Sequence, residues 1–338
     1  MLENYPKLAD LAYAYGGVGG SIATFKSTPQ DFIVTEQLDF ELTGEGEHQW
    51  LYIKAEDMNT DFTVKQLARA FNVERRAISY SGKKDRRAVT SQWFSVHVPG
   101  VALDIPNEIH PNLQVLSSVR HNKKLRRGAH QYNHFEICLR DPLNIDPGSF
   151  NSRAQLIGEQ GFPNYFGAQR FGHGENNIAF ACRAIESGKR LKREERDRVF
   201  STLRSWDFNH CLHLRVSDNS WATFQAGDLL QLSGSSSFFK PEAWDSELQQ
   251  RLDAGDITIA GILPGKGSLA TCYQTDEYIL QYLIRQKLEQ SIRALLVKPA
   301  NFQWEFLTDQ ILLSFDLPKG AYATSLLREL IGLQESRS

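Results

Sequence analysis

The chain has 338 residues, which at roughly 150 residues per domain predicts about two domains. Apolar residues at 41% supply real cores, and charged residues at 23% exclude a chain that is disordered throughout. Lys plus Arg number 38 against 40 for Asp plus Glu, a net charge of -2. That balance excludes a uniformly basic protein such as a histone, but not a nucleic-acid binder with a local basic patch. No window approaches the roughly 20 apolar residues of a membrane span. The N-terminal segment carries Glu3 and Asp10 with no basic leader or long apolar run, so no signal peptide is expected. Cys138, Cys182, Cys211 and Cys272 stand apart without a C-x-x-C pair, which predicts reduced thiols and a cytoplasmic location.

In chain order, residues 32–38 and 49–55 are rich in β-branched and aromatic residues and predict strands around a Gly-rich turn. Asn59, Thr60 and Asp61 offer caps for a helix over about 62–72, where Phe62, Val64, Leu67, Ala68 and Phe71 recur at helical spacing. Strands are expected at 77–81, 91–98, 113–120 and 134–140, and residues 141–149 are turn-rich. Helical patterns then take over at 150–161, 175–188 and 193–213. Strands near 229–232 and 257–261, a helix near 241–254 and a helix over 276–294 follow. The tail returns to strands at 301–306 and 310–317 and a helix from about 323 to 333. A β-rich start, a helical middle and a β-containing end predict an α+β domain interrupted by an insert, with boundaries near 160 and 300.

Several motif fragments fail on their missing partners. Gly261 to Gly265 is one residue short of a phosphate loop, and Gly267 stands where Ser or Thr would bind magnesium. Gly265, Gly267 and Ala270 spell a dinucleotide fingerprint, but Pro264 breaks the strand that should precede it. His134-x-Glu136 lacks the cysteine pair of a zinc deaminase, and His210, Cys211 and His213 have no further ligand at metal spacing. Neither cofactor nor metal is expected.

Two basic stretches remain. In the loop from Ser81 to Thr90 one acid, Asp85, sits among Lys83, Lys84, Arg86 and Arg87. Adjacent cations favour an ionised carboxylate, the state a carboxylate nucleophile needs, and they also suit phosphates. From this loop alone, a solvated charged hairpin explains the run more simply. The second stretch holds Arg120, Lys123, Lys124, Arg126 and Arg127, followed by Asn133 and Phe135 on one face of a strand. An aromatic ring stacks on an unpaired base and an Asn reads a base edge, although a core role for Phe135 is the simpler reading of that residue alone. A third cluster, Arg183 with Lys189, Arg190, Lys192, Arg193, Arg196 and Arg198, is interleaved with acids and reads as helix-face ion pairing.

The charge is unevenly spread. Residues 71–130 carry 11 basic against 4 acidic residues, residues 27–70 carry 3 against 9, and residues 241–338 carry 9 against 13. The basic segment contains both Asp85 and the 120–127 stretch.

At these residues the sequence resembles the tRNA pseudouridine synthase D family. The segments that carry the likeness are Lys26–Glu36, Gly44–His48, Gly82–Phe94, Pro163–Gly172 and Leu317–Ser325, in order and along almost the whole chain. The resemblance implies an enzyme that isomerises uridine 13 of tRNA to pseudouridine without cofactor or metal. It implies a pseudouridine-synthase-like α+β catalytic domain, a mixed or antiparallel sheet flanked by helices, made of residues 1–159 and 304–338. Residues 160–303 would form an inserted α/β domain. The family's catalytic aspartate falls on Asp85, and its base contacts fall on Phe32, Asn133 and Tyr322, with Phe135 in the same motif as Asn133. Tyr322 stands where the family often has Phe, so its hydroxyl needs a partner or water. Lys26, Glu36 and Lys84 match charged positions near the site.

On this reading Phe32, Phe135 and Tyr322 hold the detached uracil while it turns, Asn133 orients its polar edge, and Asp85 acts on the ribose or on the ring. The backbone contacts would be Arg86, Arg87, Lys123, Lys124, Arg126 and Arg127. The expected partner is tRNA, with no membrane or protein partner and a monomeric state. A tRNA-binding chaperone that has lost catalysis and a hydrolase that releases uracil are the alternatives.

Overall fold

The computed structural model describes residues 5–100, 103–106, 109–188, 190–270 and 275–335; Glu3, Lys189 and Cys272 lie outside the described residues. The first part of the chain forms β1 (Ile22–Phe25), β2 (Phe32–Gln37), β3 (His48–Glu56), α1 (Thr60–Ala70), β4 (Ile78–Tyr80), β5 (Val89–His97), β6 (Leu113–His121) and β7 (Tyr132–Leu143). The middle forms α2 (Pro147–Gln160), β8 (Phe162–Pro163), α3 (Ala168–Phe171), α4 (Asn176–Ser187), α5 (Arg193–Ser217), β9 (Leu229–Leu232), β10 (Phe238–Phe239), α6 (Ser246–Asp253), β11 (Ile257–Leu263), α7 (Glu277–Arg285), β12 (Ser291–Ala294) and β13 (Leu296–Val297). The chain closes with β14 (Ala300–Phe306), β15 (Gln310–Pro318), α8 (Ala323–Leu330) and β16 (Gly332–Glu335).

Two compact units result, each drawn from three segments. Unit 1 comprises the chain up to Gly19, Ser149–Lys298 and Ala321–Leu330; unit 2 comprises Gly20–Gly148, Pro299–Gly320 and the chain from Ile331. The sequence-based cut at 159/160 falls inside the unit 1 segment Ser149–Lys298 and that at 303/304 beyond its end, and the unit also takes in two short segments from the chain ends.

Unit 2 is built on a ten-stranded sheet with the order β14-β15-β7-β2-β5-β3-β6, with β1, β16 and β4 attached off this path. Most pairings are antiparallel; β2 with β5 and β1 with β16 are parallel. Helix α1 is capped by Asn59, whose side chain accepts the Phe62 N–H. Its apolar stripe of Val64, Leu67 and Phe71 packs with Leu51, Ile53, Phe94 and Val96 of β3 and β5. The α+β class expected from the order of elements is therefore the class found, with a mostly antiparallel sheet flanked by helix.

Unit 1 holds the four-stranded antiparallel sheet β10-β9-β11-β12 and the short β13-β8 pair. The 25-residue α5 supplies Trp206, Phe208, Leu212 and Val216 to a core completed by Trp221, Leu230, Ile257 and Ile259. Within that core Arg215 pairs with Asp228 at 2.7 Å, both side chains 2% exposed.

Three local expectations are corrected. The helix expected over 276–294 ends at Arg285, because Lys287 enters the left-handed region at φ 58°. Residues 291–294 pair instead with Ala260–Leu263 of β11. The closing helix ends at Leu330, where Gly332–Glu335 becomes a strand parallel to β1. The turn-rich stretch 141–149 is in part strand, since β7 runs to Leu143 before α2 starts at Pro147.

Candidate active site

The sheet register brings the unit 2 residues of interest together. Strand β2 lies antiparallel to β7 with Glu36 opposite Asn133, Val34 opposite Phe135 and Phe32 opposite Ile137. Strand β5 runs parallel to β2, Ile33 facing Val89, so the 81–88 loop that leads into β5 arrives at the start of β2. Hydrogen bonds within it and to neighbouring elements hold this loop. Lys84 N–H donates to Thr60 Oγ1 at 2.9 Å, Gln92 Nε2 to the Gly82 carbonyl at 3.0 Å, Gly128 N–H to the Ser81 carbonyl at 2.8 Å, and Ala88 N–H to the Arg86 carbonyl at 2.8 Å. Asp85 is thus presented from a fixed loop.

Asp85 is ion-paired to Lys26, from the turn after β1, whose Nζ lies 2.6 Å from Asp85 Oδ2. Lys26 holds a left-handed backbone, φ 56°, an uncommon conformation for a lysine and one that marks functional turns. Its ammonium lies 4.0 Å over the Phe32 ring and 5.0 Å from that of Phe25. Phe32 packs edge-on to Phe25, tilted against Phe135, and Phe135 stacks on Phe315. Both Phe32 and Phe135 are largely buried, at 4% and 7% exposure.

The loop's own cations make further contacts. Lys84 turns inward to Glu36 Oε2 at 2.8 Å, with side chains 7% and 0% exposed. Lys83 pairs with Asp61 at 2.7 Å, Arg86 with Asp57 at 3.5 Å, and Arg87 donates to the Ser27 carbonyl at 3.4 Å. Lys84 Nζ also donates to Asn133 Oδ1 at 2.9 Å, while Asn133 Nδ2 meets His130 Nε2 at 3.2 Å. His130 Nδ1 makes a short hydrogen bond with Ser81 Oγ, which also accepts the His130 N–H at 3.0 Å. Glu36 Oε1 accepts the Trp93 N–H at 3.2 Å. Burial holds the His130 imidazole below its ordinary pKa; Glu36 opposes that shift, and Lys84 and Lys319 add to it. Ser81 and His130 escape the sequence reading, since a lone Ser and a lone His 49 residues apart carry no spacing signal.

Lys123, Lys124, Arg126 and Arg127 are exposed around the buried Leu125, whose N–H donates to Ser95 Oγ at 3.0 Å. A surface hollow of about 330 Å³ is lined by Tyr80, Lys124, Arg126 and Arg127. Arg127 stacks over Tyr80 at 4.1 Å and donates to its hydroxyl at 2.9 Å.

Tyr322 belongs to unit 1, whereas Asp85, Phe32, Asn133 and Phe135 belong to unit 2. In its unit Tyr322 packs edge-on to Phe166, and its hydroxyl accepts Arg170 Nε and Nη2 at 3.1 and 2.9 Å. The partner its hydroxyl needs is therefore an arginine of the Pro163–Gly172 segment. Cys138, Cys182 and Cys211 are not disulfide-bonded. Among the described residues no group of three His, Cys, Asp or Glu side chains has metal-binding geometry, and no helix is long and apolar enough to cross a membrane.

The class of protein follows first from the backbone. The structure matches a solved candidate tRNA pseudouridine synthase D from Methanosarcina mazei with a TM-score of 0.65, covering 94% of this chain and 95% of that one at 21% identity. At that identity the match establishes the fold. The sequence narrows it further: the family model for tRNA pseudouridine synthase D matches residues 10–191 and 189–330. A tRNA pseudouridine synthase D from Pseudomonas syringae pv. syringae is 41% identical over 95% of this chain and 94% of its own. One from Hydrogenovibrio crunogenus is 36% identical over 97% and 98%. The chain belongs to the tRNA pseudouridine synthase D family.

Proposed function

We propose that the protein is a tRNA pseudouridine synthase that isomerises uridine 13, with Asp85 as the catalytic residue. The observation that carries this reading is the fixed Asp85 carboxylate, ion-paired to Lys26 at 2.6 Å beside the Phe32 ring, in a chain of this family. The reaction breaks the N1–C1′ bond, turns the uracil and joins C5 to C1′. Every atom of the substrate is kept, so one positioned carboxylate acting on the ribose or on the ring suffices. Lys26 holds the carboxylate in place beside the Phe32 ring. Asn133 supplies an amide to the base edge, and ring contact offsets the few kcal/mol needed to unstack the target nucleotide. Residues 1–159 and 304–338 would carry the chemistry around an inserted 160–303.

Single-turnover conversion of an unmodified tRNA transcript tests this, with pseudouridine mapped by position. Wild type should yield pseudouridine at position 13. Asp85→Asn should yield none while tRNA affinity stays within a few fold. Near-normal turnover by Asp85→Asn removes the aspartate from the mechanism, tRNA binding without product by wild type favours a chaperone, and free uracil favours a hydrolase.

A further inference from the structure

Asn133 is the half-buried end of a chain of polar groups that runs through Lys84, Glu36, His130 and Ser81, whose side chains are all buried. The chemistry of each group fixes the next. A lysine ammonium only donates, so the amide atom 2.9 Å from Lys84 Nζ is the carbonyl Oδ1. The nitrogen Nδ2, which also only donates, then faces His130 Nε2 at 3.2 Å. Nε2 must therefore offer its lone pair, and the ring proton must sit on Nδ1, directed at Ser81 Oγ. The charged groups around the ring are Glu36 from β2, Lys84 from the loop and Lys319 after β15. Exchanging N and O of the amide would set donor against donor at Lys84 and lone pair against lone pair at His130. The Lys84 end refuses the flipped amide outright, and the His130 end accepts it only by moving the ring proton to Nε2 and turning the Ser81 hydroxyl to donate to Nδ1.

With one lone pair and one N–H committed inward, Asn133 keeps one lone pair on Oδ1 and one N–H on Nδ2. Uracil answers that pair with its N3–H donor and a neighbouring carbonyl acceptor. Cytosine carries a lone pair at N3 and an amino donor at C4, the reverse order, and would be read by the flipped amide. We propose that His130 is a positioning residue which, with Lys84, locks the Asn133 amide in one orientation, and that this lock makes the site select uracil over cytosine. The proposal rests on the reading of Asn133 as a base contact, and its test separates the two.

Nitrogen-15 NMR of the full chain labelled at histidine, with the His130 signals assigned by their loss in His130→Leu, should show Nδ1 protonated and Nε2 bare at neutral pH. The opposite tautomer overturns the lock, whatever the outcome of the competition assay. Competition between tRNA transcripts with uridine or cytidine at the target position gives the second readout. Wild type should prefer uridine, and His130→Leu should lower that preference about tenfold or more. Asn133→Ala should abolish it. If Asn133→Ala abolishes the preference and His130→Leu leaves it intact, the lock is wrong while the base contact stands. If Asn133→Ala keeps it, Asn133 does not read the base and the lock has nothing to position.

Discussion

Replacing Glu36 with Gln isolates the energetics of the buried pair behind the site. The substitution keeps volume and keeps an acceptor for the Trp93 N–H, now 3.2 Å from Glu36 Oε1. It removes the carboxylate that lies 2.8 Å from Lys84 Nζ, where the two side chains are 0% and 7% exposed. The ammonium then keeps Asn133 Oδ1 as its acceptor in this chain. Breaking a buried pair by removing one partner costs about 3–5 kcal/mol, because the remaining charge stays desolvated. A chain with two compact units has no single unfolding free energy, so the readout should be local: amide hydrogen exchange along β2, β5 and β7, resolved by mass spectrometry. The expected acceleration is roughly a hundredfold to a few thousandfold in the most protected amides. Adding Lys84→Met removes the stranded charge and should recover most of the loss, a coupling of about 2 kcal/mol or more. Acceleration below about tenfold in Glu36→Gln, or a double variant that merely adds two losses, would show that the pair is hydrated and refute the desolvation cost.

Three further outcomes follow from named side chains. Arg126→Gln with Arg127→Gln should weaken tRNA binding and flatten its salt dependence by about one unit of slope for each phosphate no longer neutralised; an unchanged slope in a salt titration turns those side chains away from RNA. Tyr322→Phe removes the acceptor of two Arg170 N–H bonds and should destabilise α3 and α8 by about 1.5–3 kcal/mol, seen as faster amide exchange there. Asp207 in unit 1 is pushed up from 3.8 to about 6 by burial, against hydrogen bonds from Tyr5 and Thr275. The folded state therefore binds its proton more tightly than the unfolded state, and stability falls as the pH rises from about 4 through 6, by on the order of 3 kcal/mol. Asp207→Asn should flatten that limb in amide exchange of α5 followed across pH and corrected for the intrinsic rate, and an unaltered profile would locate the titration elsewhere.

Elements with local signals were legible in the sequence. Helix α1 has its Asn59 cap and apolar stripe, and β2, β3, β14 and β15 have their β-branched and aromatic runs. The misses are elements defined by distant pairing. Strand β1 has four residues and exists through β16 and β7. Residues 291–294 fit a helical pattern until β11 claims them. The site divides the same way. The loop stands out by its charge, but adjacency gives no sign of Lys26, a partner of Asp85 from 59 residues away. Glu36 and Lys84 were found through family resemblance, whereas their coupling to Asn133, His130 and Ser81 arises only when β2, β7 and the loop converge.

The same ion pairs revise what the uneven charge means. The basic segment 71–130 and the acidic segment 27–70 neutralise each other in part through Lys84 with Glu36, Lys83 with Asp61 and Arg86 with Asp57. An exposed pair contributes little, and a buried pair is no more stabilising than an apolar pair of equal volume. Stability alone therefore does not account for burying Lys84 beneath Asn133. A buried polar chain that ends in a half-buried amide gives what an apolar cluster cannot, a donor and an acceptor held in fixed order. Lys123, Lys124, Arg126 and Arg127 of the same basic segment remain exposed. The loop that carries Asp85 is basic in sequence, but most of its cations are spent on holding its shape.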